Sequence, residues 1–533
     1  MSEQHGIVPE TSWHCFGSRP LRELLGLEAL PLTSAENAFR QLEYIEKYAR
    51  DLDCKSIAIE TPYIDRDYIE DHGAFYSKSL YPYPNYCRRV HFFIQDAEKV
   101  KEELERLVNE NNSGNQAELR AASRKFSSEN YLGFSVIKPL HGSPVGRTVL
   151  SCFPDTPGDR KNYQRLFSCT RKVKSHFHGL RLTVDGLAFQ QQDVGVSACA
   201  TTAIWSALHK TRDHEEISPP TPVQITTLAT QYSMTGGRSM PSGGLNIDQM
   251  CQAVQATGVS PNLFGIHSDY NLAMYYLYSS IKSGFAPVII IKDEKRRSCH
   301  AITASGMKLA TLKEEVGEVA QVEFSHQYLL GLYIHDDRLG PYLRADLKKI
   351  DVEVKKSDGL TKKNVEKLQI EIPLRHNGNV TEKETWNVTH VLVPMHSKIR
   401  LSFDSIFTFS KLISNMIDTF MKQVAEEPHQ NGRLEVDSWI SKSHQYVENL
   451  ILDSTAPNSD RVWAVSNRIA LARYIGIIRV SGEFFSSVDV VFDTTSTKRN
   501  THLLGVVIPK LSEGYTELVA KFLSQQLKCP LVN

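Results

Sequence analysis

The feature that most constrains this chain is a cysteine that opens a helix. Residues 199–209 carry apolar side chains at 200, 203, 204, 207 and 208. That is the spacing of one buried helical face, and it puts Cys199 in the first turn. The approach to it is polar and glutamine-rich, Gln190-Gln191-Gln192-Asp193. About a hundred residues on, Cys299-His300-Ala301-Ile302-Thr303 sets a histidine at the head of a strand. Further on, Tyr333-Ile334-His335-Asp336-Asp337 runs a strand into two carboxylates. A helix N-terminus offers unpaired N–H groups and the positive end of the helix dipole, so it favours an anion. The thiolate is the nucleophilic form of cysteine. A histidine takes the thiol proton, and an acid fixes the tautomer of that histidine. Gln191 suits the donation of a side-chain N–H to the oxyanion at an attacked carbonyl. Taken alone, Cys199 reads as a small buried hydrophobe, the ordinary place of an intracellular cysteine. The ordered set of Gln191, Cys199, His300 and Asp336 is what points to chemistry.

Over residues 187–342 the chain resembles the papain-like cysteine peptidases, most closely the branch that includes the bacteriocin leader-processing peptidases. Gln191-Gln192-Asp193 matches that branch's Gln-x-Asp element ahead of the cysteine. Ser242-Gly243-Gly244, followed through 245–250 by Thr257-Gly258-Val259, matches its Gly-rich turn, short helix and Gly-Val. Residues 277–291 match its helix ending in Gly before a Pro-Val-Ile strand, and the strand from His300 matches the one bearing its histidine. Ala200 departs from the pattern, where a Gly commonly follows the cysteine. The resemblance implies a papain-like domain with Cys199 as nucleophile, His300 as base, Asp336 as acid and Gln191 as oxyanion donor. Asp337 stays open as the acid, because a one-residue shift turns a strand side chain to the other face. The interval from His300 to Asp336 is long for such a domain, and an extended hairpin over 308–323 is expected to fill it. Three functions fit these parts: peptide hydrolysis, acyl transfer or deamidation by the same thiol, and binding without turnover.

Charge and cysteine usage narrow the partners. Lys plus Arg and Asp plus Glu number 61 each, so no net field draws in nucleic acid or anionic lipid. The nine cysteines are scattered, with no CxxC pair. That is the usage of reduced thiols in a cytoplasmic protein, not of a disulfide framework or a zinc site. Residues 1–19 hold no apolar run, so no secretory signal is expected, and no stretch has the length to span a bilayer. Gly142-Ser143-Pro144-Val145-Gly146-Arg147-Thr148 looks like a phosphate loop, but it is one residue short and has Arg where the Lys belongs. Pro144 also removes an N–H that such a loop needs, so a plain hairpin is expected there, with no cofactor and no metal. The implied partners are a peptide or protein substrate and a regulatory protein, or self-association, through the flanking regions.

At 533 residues the chain has room for three or four cores. The expected fold class is α+β, a papain-like peptidase domain embedded between N-terminal and C-terminal α+β regions. The expected units are an N-terminal domain over 1–176, the peptidase domain over 177–345, a β-rich segment over 346–400 and a C-terminal domain over 401–533. Strands are expected at 56–59, 90–94, 133–137, 148–152, 488–492 and 503–508, and helices over 96–110 and 402–426. A capping box is expected at 33–36, opening a further helix. The pair His14-Cys15 is expected in a flexible terminus, and Cys299 in the core on the strand face opposite His300. Trp205 is expected in the core or on the cleft wall, and His335 in packing.

Overall fold

The computed structural model describes residues 9–27, 39–110, 115–154, 163–193, 195, 198–212, 218–231, 244–266, 269–296, 298–311, 322–355, 362–376, 379–424, 433–452, 471–482, 485–497, 502–509 and 515–532. The capping box at 33–36, residues 242–243 of the Gly-rich turn and most of the insertion before residue 322 lie outside them. The chain is a mixed α+β structure, and among the described residues no helix is long and apolar enough to cross a membrane.

The N-terminal part is a five-stranded antiparallel sheet. Its strands are β1 Glu10–Cys15, β2 Ser56–Tyr63, β3 Cys87–Phe93, β4 Tyr131–Ile137 and β5 Val145–Leu150, side by side in chain order. His14 and Cys15 therefore lie in a paired strand, where a flexible terminus had been expected. Helices α1 Leu21–Leu24, α2 Arg40–Asp51, α3 Arg66–Ala74, α4 Ala97–Glu110 and α5 Gln116–Asn130 join or flank these strands. Helix α3 starts where Asp65 accepts from the N–H groups of Asp67 and Tyr68, at 3.0 and 3.3 Å. Residues 142–148 form the β4–β5 hairpin, closed by Lys138 N–H donating to Pro144 O at 2.7 Å.

The central part is a sheet of eight strands. Strand β6 Tyr163–Leu166 comes first, and the separate hairpin β7 Arg171–Phe177 with β8 Leu180–Gly186 follows it. Helices α6 Cys199–Thr211, α7 Pro222–Thr230 and α8 Ile247–Ala256, strand β9 Val259–Gly265 and helix α9 Tyr270–Lys282 lead into the main run of strands. These are β10 Val288–Asp293, β11 Ser298–Ala310, β13 Leu329–Asp336, β14 Gly340–Lys355, β15 Lys362–His376 and β16 Asn379–His396. They pair antiparallel in that order, and β10 pairs β16 as well, so the six strands close into a ring. Strand β6 adds to the far end of β11 and β9 to the end of β16.

Two expected boundaries do not hold. The one at 345/346 falls inside β14, and the segment 346–400 supplies β15 and β16 to the ring, because β10 and β14 would otherwise keep unpaired edges. The one at 176/177 falls inside β7. The expected hairpin between His300 and Asp336 also ends differently. Its last residues, β12 Val322–Phe324, leave the ring and pair in parallel with β17 Leu434–Lys442.

The C-terminal part is the six-stranded sheet that this pairing begins. It continues through β18 Tyr474–Gly482, β19 Val488–Asp493 and β20 Leu503–Val507 to β21 Leu531–Val532. Helices α10 Phe403–Val424, α11 Ser443–Leu452 and α12 Thr516–Leu527 accompany it. Helix α10 buries Phe403, Ile406, Phe407, Ser410, Ile413, Ser414 and Ile417, one stripe at helical spacing. The largest hydrophobic cluster runs through all three parts, from Ala58 to Leu523.

Candidate active site

Helix α6 begins at Cys199. Its apolar residues Ala200, Ala203, Ile204, Ala207 and Leu208 are all buried, and so are Thr201, Thr202, Trp205, Ser206 and His209, so the helix is enclosed all round and within it only Cys199 and Lys210 are partly open. Ala198 stands at the N-cap with an extended backbone and has no oxygen to cap the first turn. Thr201 Oγ1 accepts from Ala198 N–H at 3.4 Å, which holds the start of the helix from below. The half-buried Cys199 thus sits beside first-turn N–H groups that the N-cap side chain does not cap.

Strand β11 crosses this helix. Thr303 Oγ1 donates to Ala203 O at 2.8 Å and sets strand against helix, with His300 three residues earlier. His300 is buried, and its Nε2 lies 3.1 Å from Asp336 Oδ1 and 3.5 Å from Asp337 Oδ1. Both acids sit where β13 ends, and that strand pairs β11 directly. With Nε2 turned to the acids and to Arg338 Nε, 3.2 Å away, Nδ1 is the nitrogen left for the sulfur. Burial disfavours the imidazolium, but the Asp336 carboxylate, a hydrogen bond with the Cys199 side chain and the charge of Asp337 outweigh it and carry His300 up to about 10. Burial alone would lift Asp336, yet His300 and the Arg338 guanidinium hold it well below the usual carboxylate range. Asp337 behaves the other way. Burial and the neighbouring charge of Asp336 push it up to about 6, against the pull of His300 and Arg338.

Three residues of this site escaped the sequence reading. Arg338 Nη2 donates to Asp336 Oδ2 at 2.7 Å and to Glu384 Oε2 at 3.1 Å, and its guanidinium lies 5.2 Å from the Trp386 ring centre. Trp386 in turn packs against His300, ring centres 6.1 Å apart. Arg338 follows the acid pair directly, which was a usable signal. Glu384 and Trp386 alternate on one face of β16 and carried none, since nothing in the sequence says that β16 closes the ring. His300, Asp336 and Asp337 lie within 4.8 Å of one another, the one such cluster found among the described residues. Arg338 already brings a positive charge to Asp336 there, so the cluster is an ion-pair network.

Gln191 is buried, but its amide is largely spoken for. Nε2 donates to Gly142 O at 3.3 Å, and Oε1 accepts from Val145 N–H at 3.2 Å. Only the second N–H on Nε2 is left for an oxyanion, so Gln191 first of all ties the arm ahead of Cys199 to the β4–β5 hairpin. Asp193 extends that tie. It accepts from the Tyr76 hydroxyl and from Gly195 N–H at 3.1 Å, and Lys138 Nζ stands 3.6 Å away. A Cβ on Gly195 would come within 2.8 Å of Phe75 Cε1, so the arm lies flat against the N-terminal part.

The remaining candidates separate cleanly. Trp205 is fully buried, 4.3 Å between ring centres from His209, and belongs to the core and not to a cleft wall. His335 is buried against Tyr342 and Phe189, with Nδ1 3.3 Å from Ser206 Oγ, a packing residue as expected. Cys299 is exposed, where the core was expected, because the strand face opposite His300 is uncovered at the start of β11. In comparisons with known proteins, no family model and no curated protein matches this chain.

Proposed function

We propose that the protein is a cysteine peptidase of papain-like architecture, with Cys199 as nucleophile, His300 as general base and acid, and Asp336 as the carboxylate that orients it. One observation carries the reading. Through Nε2, the buried His300 lies 3.1 Å from a fully buried Asp336, on the strand that Thr303 ties to the Cys199 helix at 2.8 Å. In this mechanism His300 takes the thiol proton, and the sulfur adds to a peptide carbonyl. The N–H groups of the α6 first turn, with the second N–H of the Gln191 amide, receive the oxyanion. The C–N bond breaks as His300 returns the proton to the leaving amine. Water then adds to the thioester, its proton passes to His300, and the C–S bond breaks to release a carboxylate and the free enzyme.

The test is alkylation of the intact protein with iodoacetamide near neutral pH, read by peptide mass spectrometry. Cys199 should label about tenfold or more faster than the other eight cysteines, including the exposed Cys15 and Cys299. His300→Ala should remove that advantage. Equal labelling of Cys199 and the two exposed thiols would sink the proposal. Incubation with a peptide library then reads the chemistry, since hydrolysis, amine transfer and deamidation leave products of different mass.

A further inference from the structure

Asp336 is saturated. Besides His300, its Oδ1 accepts from the Arg338 backbone N–H at 2.9 Å and from Arg338 Nε at 3.2 Å, and its Oδ2 accepts from Arg338 Nη2 at 2.7 Å. The next residue is its opposite. Asp337 has a side chain only 2% exposed, and among the described residues neither carboxylate oxygen finds a hydrogen-bond donor from another residue. The backbone carbonyl of Asp337 accepts from Gln41 Nε2 of α2 at 3.0 Å, which pins the residue with its carboxylate facing inward. Among the described residues its ion-pair neighbour is His300, with Nε2 3.5 Å from Oδ1. A buried carboxylate with no hydrogen bonds is costly to keep, and such groups in folded proteins call for an explanation.

We infer that Asp337 is a positioning residue of the catalytic pair, a second carboxylate whose ionisation holds His300 as imidazolium opposite the Cys199 sulfur. This rests on the reading of Cys199 and His300 as nucleophile and base. When Asp337 carries a proton, the one charged carboxylate at His300 is Asp336, and Arg338 both shares that charge and sets its Nε 3.2 Å from His300 Nε2. When Asp337 ionises, a second negative charge stands beside Nε2 and favours the charged pair. The groups that face Asp337 are His300 from β11, Asp336 from β13, Arg338 from the following turn with Glu384 of β16 on its far edge, and Cys199 across His300. Arg338 pulls the carboxyl of Asp337 down and Asp336 pushes it up, so the pH at which it ionises, about 6, depends on both.

The experiment follows the rate of Cys199 alkylation by iodoacetamide against pH in the full-length protein. Divided by the rate of Asp337→Asn, which keeps the shape and cannot ionise, the wild-type rate should rise up to about tenfold between about pH 5 and about pH 7, the most that a gain of about one pKa unit in the charged pair gives. At about pH 5, where Asp337 is protonated in the wild type as well, the two rates should agree within about twofold. Arg338→Gln removes the cation that lowers Asp337, so the rise should move to higher pH. Asp337→Glu should restore a rise that Asp337→Asn lacks. An Asp337→Asn profile that superimposes on the wild type overturns the inference. If Asp337→Asn does not fold, an Arg338→Gln profile with an unmoved midpoint overturns it instead. A wild-type Cys199 that labels no faster than Cys15 sinks the peptidase reading, which is a separate outcome.

Discussion

At the scale of single residues, the site works through charge that burial makes expensive. Asp336 is fully buried and stays ionised because it has two cationic neighbours, His300 and Arg338. Replacing it with Asn keeps the volume and removes the charge. The amide would then offer His300 an acceptor without holding the imidazolium, and Arg338 would keep Glu384 as a carboxylate partner but lose Asp336. Asp336→Asn should therefore lower kcat for peptide hydrolysis by about 10²–10⁴-fold, the usual range for a general-base contribution, with a smaller change in KM. Steady-state rates on any cleaved peptide check this, and an unchanged kcat would remove Asp336 from the mechanism. The charges of Arg338 and Glu384 are arranged in series behind it, and Trp386 screens the His300–Asp336 contact from one side.

At the scale of elements, the site depends on how helix α6 and strand β11 meet. The strand is irregular there, with its pairing to β13 shifting register between Ala304 and Gly306. Gly306 is where β6 closes over β11, and a Cβ on it would lie 2.6 Å from Phe167 Cδ1 and 2.7 Å from Leu166 O. The Leu166 oxygen is backbone in a paired strand and has little room to give. Gly306→Ala should cost about 1–3 kcal/mol, the range for forcing an extra carbon into a packed site. The readout is a lower thermal midpoint by circular dichroism, and an unchanged midpoint would show that β6 shifts freely. Much of this level was legible in the sequence. The helix at Cys199, the strand at His300 and the strand ending at Asp336 each follow from local apolar spacing. The bulge in β11 does not, since it arises from how two neighbouring strands share that strand.

At the scale of the whole molecule, the parts interlock and do not follow one another along the chain. Thr148 and Phe189 exchange two backbone hydrogen bonds, at 2.8 and 2.9 Å, which ties the N-terminal sheet to the arm before Cys199. Tyr342 of β14 accepts from Leu187 N–H at 2.8 Å and donates to Leu150 O at 3.0 Å. Strand β12, lying between His300 and Asp336 in the chain, belongs to the C-terminal sheet. A chain cut at residue 345, the boundary expected from sequence, would lose β15, β16, Glu384 and Trp386 and leave β10 with one edge bare. That truncated chain should show no cooperative thermal transition, and its Cys199 should label no faster than Cys15. A cooperative transition with selective labelling would show that the ring is dispensable.

What the sequence determined by itself is local: which residues form the helix opening at Cys199, which strands carry His300 and Asp336, and which residue types suit thiol chemistry. Those choices depend on side-chain periodicity over a few turns or a few strand residues, and that is written in consecutive positions. The tertiary structure alone decided that Arg338, Glu384 and Trp386 stand behind the acid, that Gln191 spends most of its amide on a neighbouring hairpin, and that residues 346–400 complete the central ring. Those facts depend on which strand edges find partners and on which charges are buried together. Both are settled between segments tens to hundreds of residues apart, where no local pattern records them.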